Sequence, residues 1–215
     1  MSLLRNLFDA RSSRTEFLEG LAKQLSYSFE KADDERLMGY LKGFSLFRRG
    51  SSKKIYNMTS YTDEDLNEKY FFDYKYTIRT NNSSKTYRQS VFFLNSKNLY
   101  IPAHKLRPEH FGHKIQEKLF GLLDIDFVGF PIFSKNYLLK GDDEELIRDS
   151  YSDDILQYFS ENTGWSVEGV NYFLIMYFSG KLVKQSHYHL FIRECETIGN
   201  FFIRSSEKFK TDLDL

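Results

Sequence analysis

The run Phe72-Asp73-Tyr74-Lys75-Tyr76-Thr77-Ile78-Arg79 constrains the fold more than any other part of this 215-residue chain. Large apolar side chains fill every second position and polar ones the alternates, the pattern of a strand with one covered face. On a helix the same residues would scatter around the axis and bury no stripe. Asn81 to Lys85 is polar and turn-forming, and Tyr87 to Leu94 resumes a β-rich run, so the two segments form an expected hairpin. With 21 Phe and 15 Tyr in the chain, the sheet to which they belong is aromatic-rich, consistent with the β preference of these rings.

Further strands are expected at Phe44 to Phe47 and Lys54 to Thr59, around an Arg48-Arg49-Gly50-Ser51-Ser52 hairpin loop. Short ones follow at Leu99 to Ile101, Asp124 to Val128 and Asn136 to Leu139. Trp165 to Glu168 and Tyr172 to Ser179 pair through Gly169-Val170-Asn171; the second of these is apolar on both faces and belongs in the middle of a sheet. Helices are expected where apolar residues recur at helical spacing. Phe17, Leu21, Leu25 and Phe29 follow a Ser13–Glu16 capping box. Asp33 and Asp34 cap a helix with Leu37, Tyr40 and Leu41. Pro108 opens one with Phe111, Ile115, Leu119 and Leu122. Asp142–Glu145 reads as a second capping box, and Ser152 with Asp153 and Asp154 starts another helical stretch ending near Asn162. Ser186 starts the last, with Phe191, Cys195, Ile198 and Phe202 on its core face. Short turns between strands favour an α+β fold: an antiparallel sheet of about seven to eight strands with amphipathic helices packed on it. The chain reads as one domain, residues 1–215, with a sub-domain division allowed near Arg107.

Charge and cysteine content narrow the function. Thirty basic residues balance thirty acidic ones, so the excess that marks most nucleic-acid binders is missing and any anion site must be a local patch. The single cysteine, Cys195, excludes an internal disulfide and a cysteine-based zinc site. The longest apolar run, Tyr172 to Phe178, is far short of the ~20 residues of a spanning helix. No secretory signal follows Arg5, so a cytoplasmic location is the expectation. Met1-Ser2-Leu3 also fits a start joined to a truncated chain, which allows membrane association through an upstream segment.

Several motifs are similar to those of a family of uncharacterised bacterial α+β proteins: FDYKY (Phe72 to Tyr76), LRPE (Leu106 to Glu109), DIDF (Asp124 to Phe127), FSKNYLLKG (Phe133 to Gly141), DEELIR (Asp143 to Arg148) and WSVEG (Trp165 to Gly169). The similarity extends over more than half the chain. Members of that family often lie behind N-terminal transmembrane segments and have no known activity. The resemblance therefore implies a fold and a link to membranes, with no catalytic residue attached.

Candidate sites are few. His110, His113 and Glu117 share one helical face, and imidazole with carboxylate suits zinc. A solvated face opposite Phe111, Ile115 and Leu119 accounts for the same three residues. Asp124 and Asp126, joined by Asp73 and Glu168 only if their strands are neighbours, are candidates for acid–base or metal work. His187 is expected near the buried stripe of the last helix, on a different face from His189. Cys195 sits within that stripe and reads as structural. Arg48, Arg49, Lys53 and Lys54 cluster beside Phe44, Phe47 and Tyr56 and suit an anionic surface, at about 1 kcal/mol per basic residue near a charged membrane. Tyr74, Tyr76 and Arg79 would serve single-stranded nucleic acid, a reading the neutral charge opposes. No phosphate loop, nucleophile elbow, kinase signature, HExxH or dinucleotide fingerprint is present. The expected function is a non-catalytic binding or scaffold module that takes no cofactor and meets a protein partner or an anionic membrane. The alternative is a metal- or carboxylate-dependent enzyme built from His110, His113, Glu117, Asp124 and Asp126.

Overall fold

The computed structural model describes residues 2–32, 36–109 and 124–212, with side chains described over 13–32, 36–109 and 124–208. The alternating run lies in β3 (Glu68–Thr80), which pairs antiparallel with β2 (Ser51–Thr62), itself paired with β1 (Ser28–Ala32). The expected hairpin partner is β4 (Ser83–Asn95). β5 (Ile101–Pro108), β6 (Tyr137–Gly141), β7 (Ser166–Asn171) and β8 (Phe173–Tyr177) complete an eight-stranded sheet in the order β1-β2-β3-β4-β8-β7-β5-β6. With helices packed against this antiparallel sheet, the fold is α+β. The doubly apolar run at β8 is central, between β4 and β7.

The chain divides into two compact units. The first comprises Met1–Phe92 and Gly180–Ile192. It holds α1 (Ser2–Gln24), α2 (Arg36–Leu41), α3 (Ser45–Arg48), β1 to β3, most of β4, and the start of α7 (Tyr188–Asp212). Both faces of β3 are covered here. On one, Phe47 of α3 packs 4.4 Å from Tyr74, ring centre to ring centre. On the other, Phe71 meets Phe92 and Phe191 at 4.9 and 6.2 Å.

The second unit comprises Phe93–Ser179 and Arg193–Leu215. Its strand β5 pairs with β6 on one side and β7 on the other. α4 (Pro131–Asn136), α5 (Glu144–Ser150), α6 (Asp153–Glu161) and the remainder of α7 supply its helices. Phe133, Tyr137, Tyr151, Phe159 and Phe202 are fully or almost fully buried and form a ring-on-ring core.

Several local expectations are corrected. Ser13 and Glu16 lie inside α1, which runs from Ser2, so they form no capping box. That helix stops at Gln24 because Ser26 takes φ of 60°, and Phe29 belongs to β1. Phe44 to Phe47 is not a strand: Phe44 precedes the single helical turn α3, whose Leu46 and Phe47 are buried. Pro108 is the last residue of β5. Asp124 to Val128 is irregular, and α4 follows it. Asp143, not Asp142, caps α5, accepting the Leu146 N–H at 3.1 Å. The β7–β8 turn lies at Asn171 and Tyr172, past the expected loop, because Val170 already faces Phe173. The expected boundaries of α6 hold, with Ser152 and Asn162 as its flanking residues. The α7 face of Phe191, Cys195, Ile198 and Phe202 is buried throughout. The helix expected after Pro108, and the Asp33 and Asp34 cap, fall outside the described residues.

Candidate anion-binding surface

The passage from α3 into β2 is a tight turn that only particular residues can make. Gly50 sits at φ +62°, and a Cβ there would lie 2.5 Å from the Thr77 carbonyl oxygen, so no side chain fits. Ser52 follows at φ 52°, and a register shift separates Ser51 from Lys54. The effect is to pair Ser51 with Thr77 and to set Lys54 directly opposite Lys75. Arg48, Arg49, Lys53 and Lys54 are all exposed around this turn, while Phe47 beneath them is anchored in the core.

The β3–β4 hairpin brings further cations to the same end of the strands. Thr77 and Thr86 share a hydroxyl–hydroxyl hydrogen bond of 3.0 Å, and Thr80 and Ser83 close the turn at 2.8 Å. Tyr76 stacks on Tyr87 at 5.3 Å, and the Lys85 ammonium lies 5.0 Å over the Tyr87 ring. Arg49 hydrogen-bonds the Tyr76 phenol; burial pushes that phenol's pKa up, and the guanidinium only partly offsets it. Residues 48–54 and 75–88 together contain Arg48, Arg49, Lys53, Lys54, Lys75, Arg79, Lys85 and Arg88, and neither stretch holds an Asp or Glu. Of these, Lys75, Lys85 and Arg88 were not among the candidates read from sequence. The missing acids in 75–88 are visible in the sequence, but only strand register shows which loop those cations adjoin.

The remaining candidates do not assemble a reactive site. His110, His113 and Glu117 lie outside the described residues. Asp124 accepts the Leu139 N–H at 2.9 Å, and Asp126 is exposed in an irregular segment, so the expected alternation of these carboxylates on a strand is absent. Asp73 and Glu168 cannot join them, since β3 and β7 are not neighbours. Glu168 is held by Lys105 at 3.2 Å and by the Tyr177 hydroxyl at 2.9 Å. His187 is exposed, not near-buried, with its Nδ1 3.0 Å from the Ser186 hydroxyl; His189 is exposed too. Cys195 is fully buried, and burial pushes its thiol well above the ordinary range, which opposes nucleophilic use. Among the described residues no three His, Cys, Asp or Glu side chains come together to hold a metal, and no helix is long and apolar enough to cross a membrane.

Asp73, an apparent solvent-side residue in the alternating run, is the hub of a buried network. Arg14 of α1 grips it through two nitrogens, Nε to Oδ2 at 2.7 Å and Nη2 to Oδ1 at 2.8 Å. Asn57 donates to Oδ2 at 3.1 Å and Ser90 to Oδ1 at 3.0 Å. Asn57 reaches inward because it occupies a β-bulge at φ 52°. Arg14 also donates to the Val183 carbonyl at 2.7 Å. Burial disfavours the guanidinium charge, yet the bond to Asp73 and its charge outweigh this and raise the Arg14 pKa. Each polar group is matched, so the network reads as a structural pin.

His104 is another buried ionisable group. It lies on β5 opposite Gly169, where a Cβ would fall 2.4 Å from the His104 ring, and packs edge-on to Tyr151 at 5.3 Å. Its Nδ1 is 2.9 Å from the Pro102 carbonyl, which can only accept, so the proton sits on Nδ1. Burial lowers its pKa to about 4, against the opposing pull of Pro102 and Glu168. It is a neutral core histidine.

No family model and no curated protein matches the chain. Among solved structures the fold is similar to that of the mycobacterial trehalose monomycolate transport factor A, TtfA, with a TM-score of 0.56 at 8% sequence identity. The likeness covers 91% of this chain and 93% of that one, and at this identity it is a likeness of fold alone.

Proposed function

We propose that the protein is a non-catalytic binding module that works against an anionic membrane surface, using Arg48, Arg49, Lys53 and Lys54 as its first contacts. The carrying observation is the exposure of all four cations on one tight turn, in a chain whose total charge is zero. Exposed like charges crowded on one turn repel one another, and an external anion relieves that repulsion. The cytoplasmic leaflet offers such an anionic plane. The resemblance to bacterial proteins that lie behind membrane segments supports the same setting. A likeness in fold to a transport factor is in keeping with a binding role. Co-sedimentation with acidic but not neutral vesicles, weakening as salt shortens the Debye length from ~10 Å at 0.1 M to ~3 Å at 1 M, tests the proposal.

A further inference from the structure

The unit that carries β2, β3 and β4 is oppositely charged at its two ends. Toward one end stand the exposed cations Arg48, Arg49, Lys53, Lys54, Arg79 and Lys85. The other is the β2–β3 turn, where residues 63–68 contain Asp63, Glu64, Asp65 and Glu68 and no Lys or Arg. Glu64 and Asp65 are exposed, whereas Asp63 is engaged by Lys69 at 2.9 Å and by the Asn67 N–H at 2.9 Å. Along β3 the Glu68 end lies about 40 Å from the Thr80 tip, and about 23 Å from the level at which Lys54 pairs with Lys75, at the rise of an extended strand. Both exceed the ~8 Å screening length of physiological salt several times over, so a charged plane touching one end acts on that end alone.

We propose that this unit docks end-on to an anionic lipid bilayer, with the β3–β4 turn at Asn81 and Asn82 among the headgroups, the 48–54 turn behind it facing the same anionic surface, and the β2–β3 turn held away. This orientation rests on the membrane-binding reading above and deepens it. The local chemistry favours a bilayer over a nucleic acid. Tyr76 is buried, and Tyr87 is half-buried between Tyr76 and the Lys85 ammonium, so neither ring offers an open face for a base to stack on. Thr80, Asn81, Asn82, Ser83 and Ser84 form a small, uncharged, exposed polar tip suited to hydrogen bonding with headgroups. Ile78, 37% exposed among the cations, supplies an apolar side chain that a headgroup–acyl boundary accepts. Leu66 is more exposed still, at 78%, but the surrounding acids repel an anionic plane from that end.

Single added cysteines test the orientation. The native thiol is silent, because Cys195 is fully buried with its pKa pushed up. An environment-sensitive fluorophore is attached through Asn82→Cys in one protein and Asp65→Cys in another. Each is mixed with vesicles of phosphatidylcholine and phosphatidylserine, with sedimentation measured on the same samples. The expected result is a blue shift and several-fold protection from acrylamide quenching at position 82, with no change at position 65. Equal responses at both positions, or a response at 65 alone, in protein that still sediments would overturn the orientation and leave membrane binding standing. Absence of sedimentation in the unlabelled parent would overturn both. A label-free arm replaces Arg79 and Lys85 with Gln. End-on docking predicts a several-fold loss of vesicle affinity with an unchanged melting temperature, whereas unchanged affinity would refute it.

Discussion

Lys54 and Lys75 stand directly opposite one another across β2 and β3, so that two cations share one face of the sheet at one register position. Directly opposed like charges cost stability, and opposite charges contribute roughly 0.2–1 kcal/mol. Lys54 is exposed whereas Lys75 is half-buried and engaged within the fold, so Lys54 is the cation presented to an anion outside it.

Lys54→Glu tests that presentation. Because Lys54 is exposed, thermal unfolding should shift by no more than an amount equivalent to ~1 kcal/mol. Binding to acidic vesicles should fall in the same variant. Unchanged binding would show that Lys54 is an ordinary surface residue.

The Arg14–Asp73 pair should behave in the opposite way. Asp73→Asn leaves the guanidinium without its anionic partner beneath the sheet and should cost about 3–5 kcal/mol, the usual result of breaking a buried pair. Arg14→Lys should also destabilise, since a lysine cannot reproduce the two-pronged grip. Urea unfolding measures both. Vesicle binding by the folded fraction should not change, because the pair takes no part in the surface contact.

His104 makes stability depend on pH in a defined window. Its folded pKa, about 4, lies below the ~6.5 of an unfolded histidine. Between those values the unfolded chain binds a proton that the native state does not, so stability falls as pH drops from ~6.5 towards ~4. Its contribution is fully present above ~6.5, and the total loss is on the order of 3 kcal/mol, reached below pH ~4. His104→Gln should flatten this segment of the stability–pH curve. An identical slope in the variant would assign the dependence to other groups.

The α+β fold was legible because its signals are local: the alternation of Phe72 to Ile78, the doubly apolar run at β8 and the stripe from Phe191 to Phe202. Legibility failed where tertiary contact overrides a local pattern. Ser13 and Glu16 form a capping motif, yet the helix simply continues through them. Phe44 to Phe47 is largely apolar in either state, and the segment forms a single helical turn ahead of the tight turn at Gly50. Asp73 alternates like a solvent-side residue, and its partners Arg14, fifty-nine positions away, Asn57 and Ser90 explain its complete burial. The four cations of the 48–54 turn were readable as a cluster. Lys75, Lys85 and Arg88 were not, because their nearness to that cluster is set by the β2–β3 register and the β3–β4 hairpin, which no short window contains.

The most direct measurement is co-sedimentation of the protein and a variant with Arg48, Arg49, Lys53 and Lys54 all changed to Gln, against acidic and neutral vesicles over a range of salt. The intact protein should bind acidic vesicles only, with affinity falling steeply as salt rises. The variant should lose most of that binding while keeping its melting temperature, since all four side chains are exposed. Binding that survives the replacement, or that ignores salt, would contradict the proposal that this surface meets an anionic membrane.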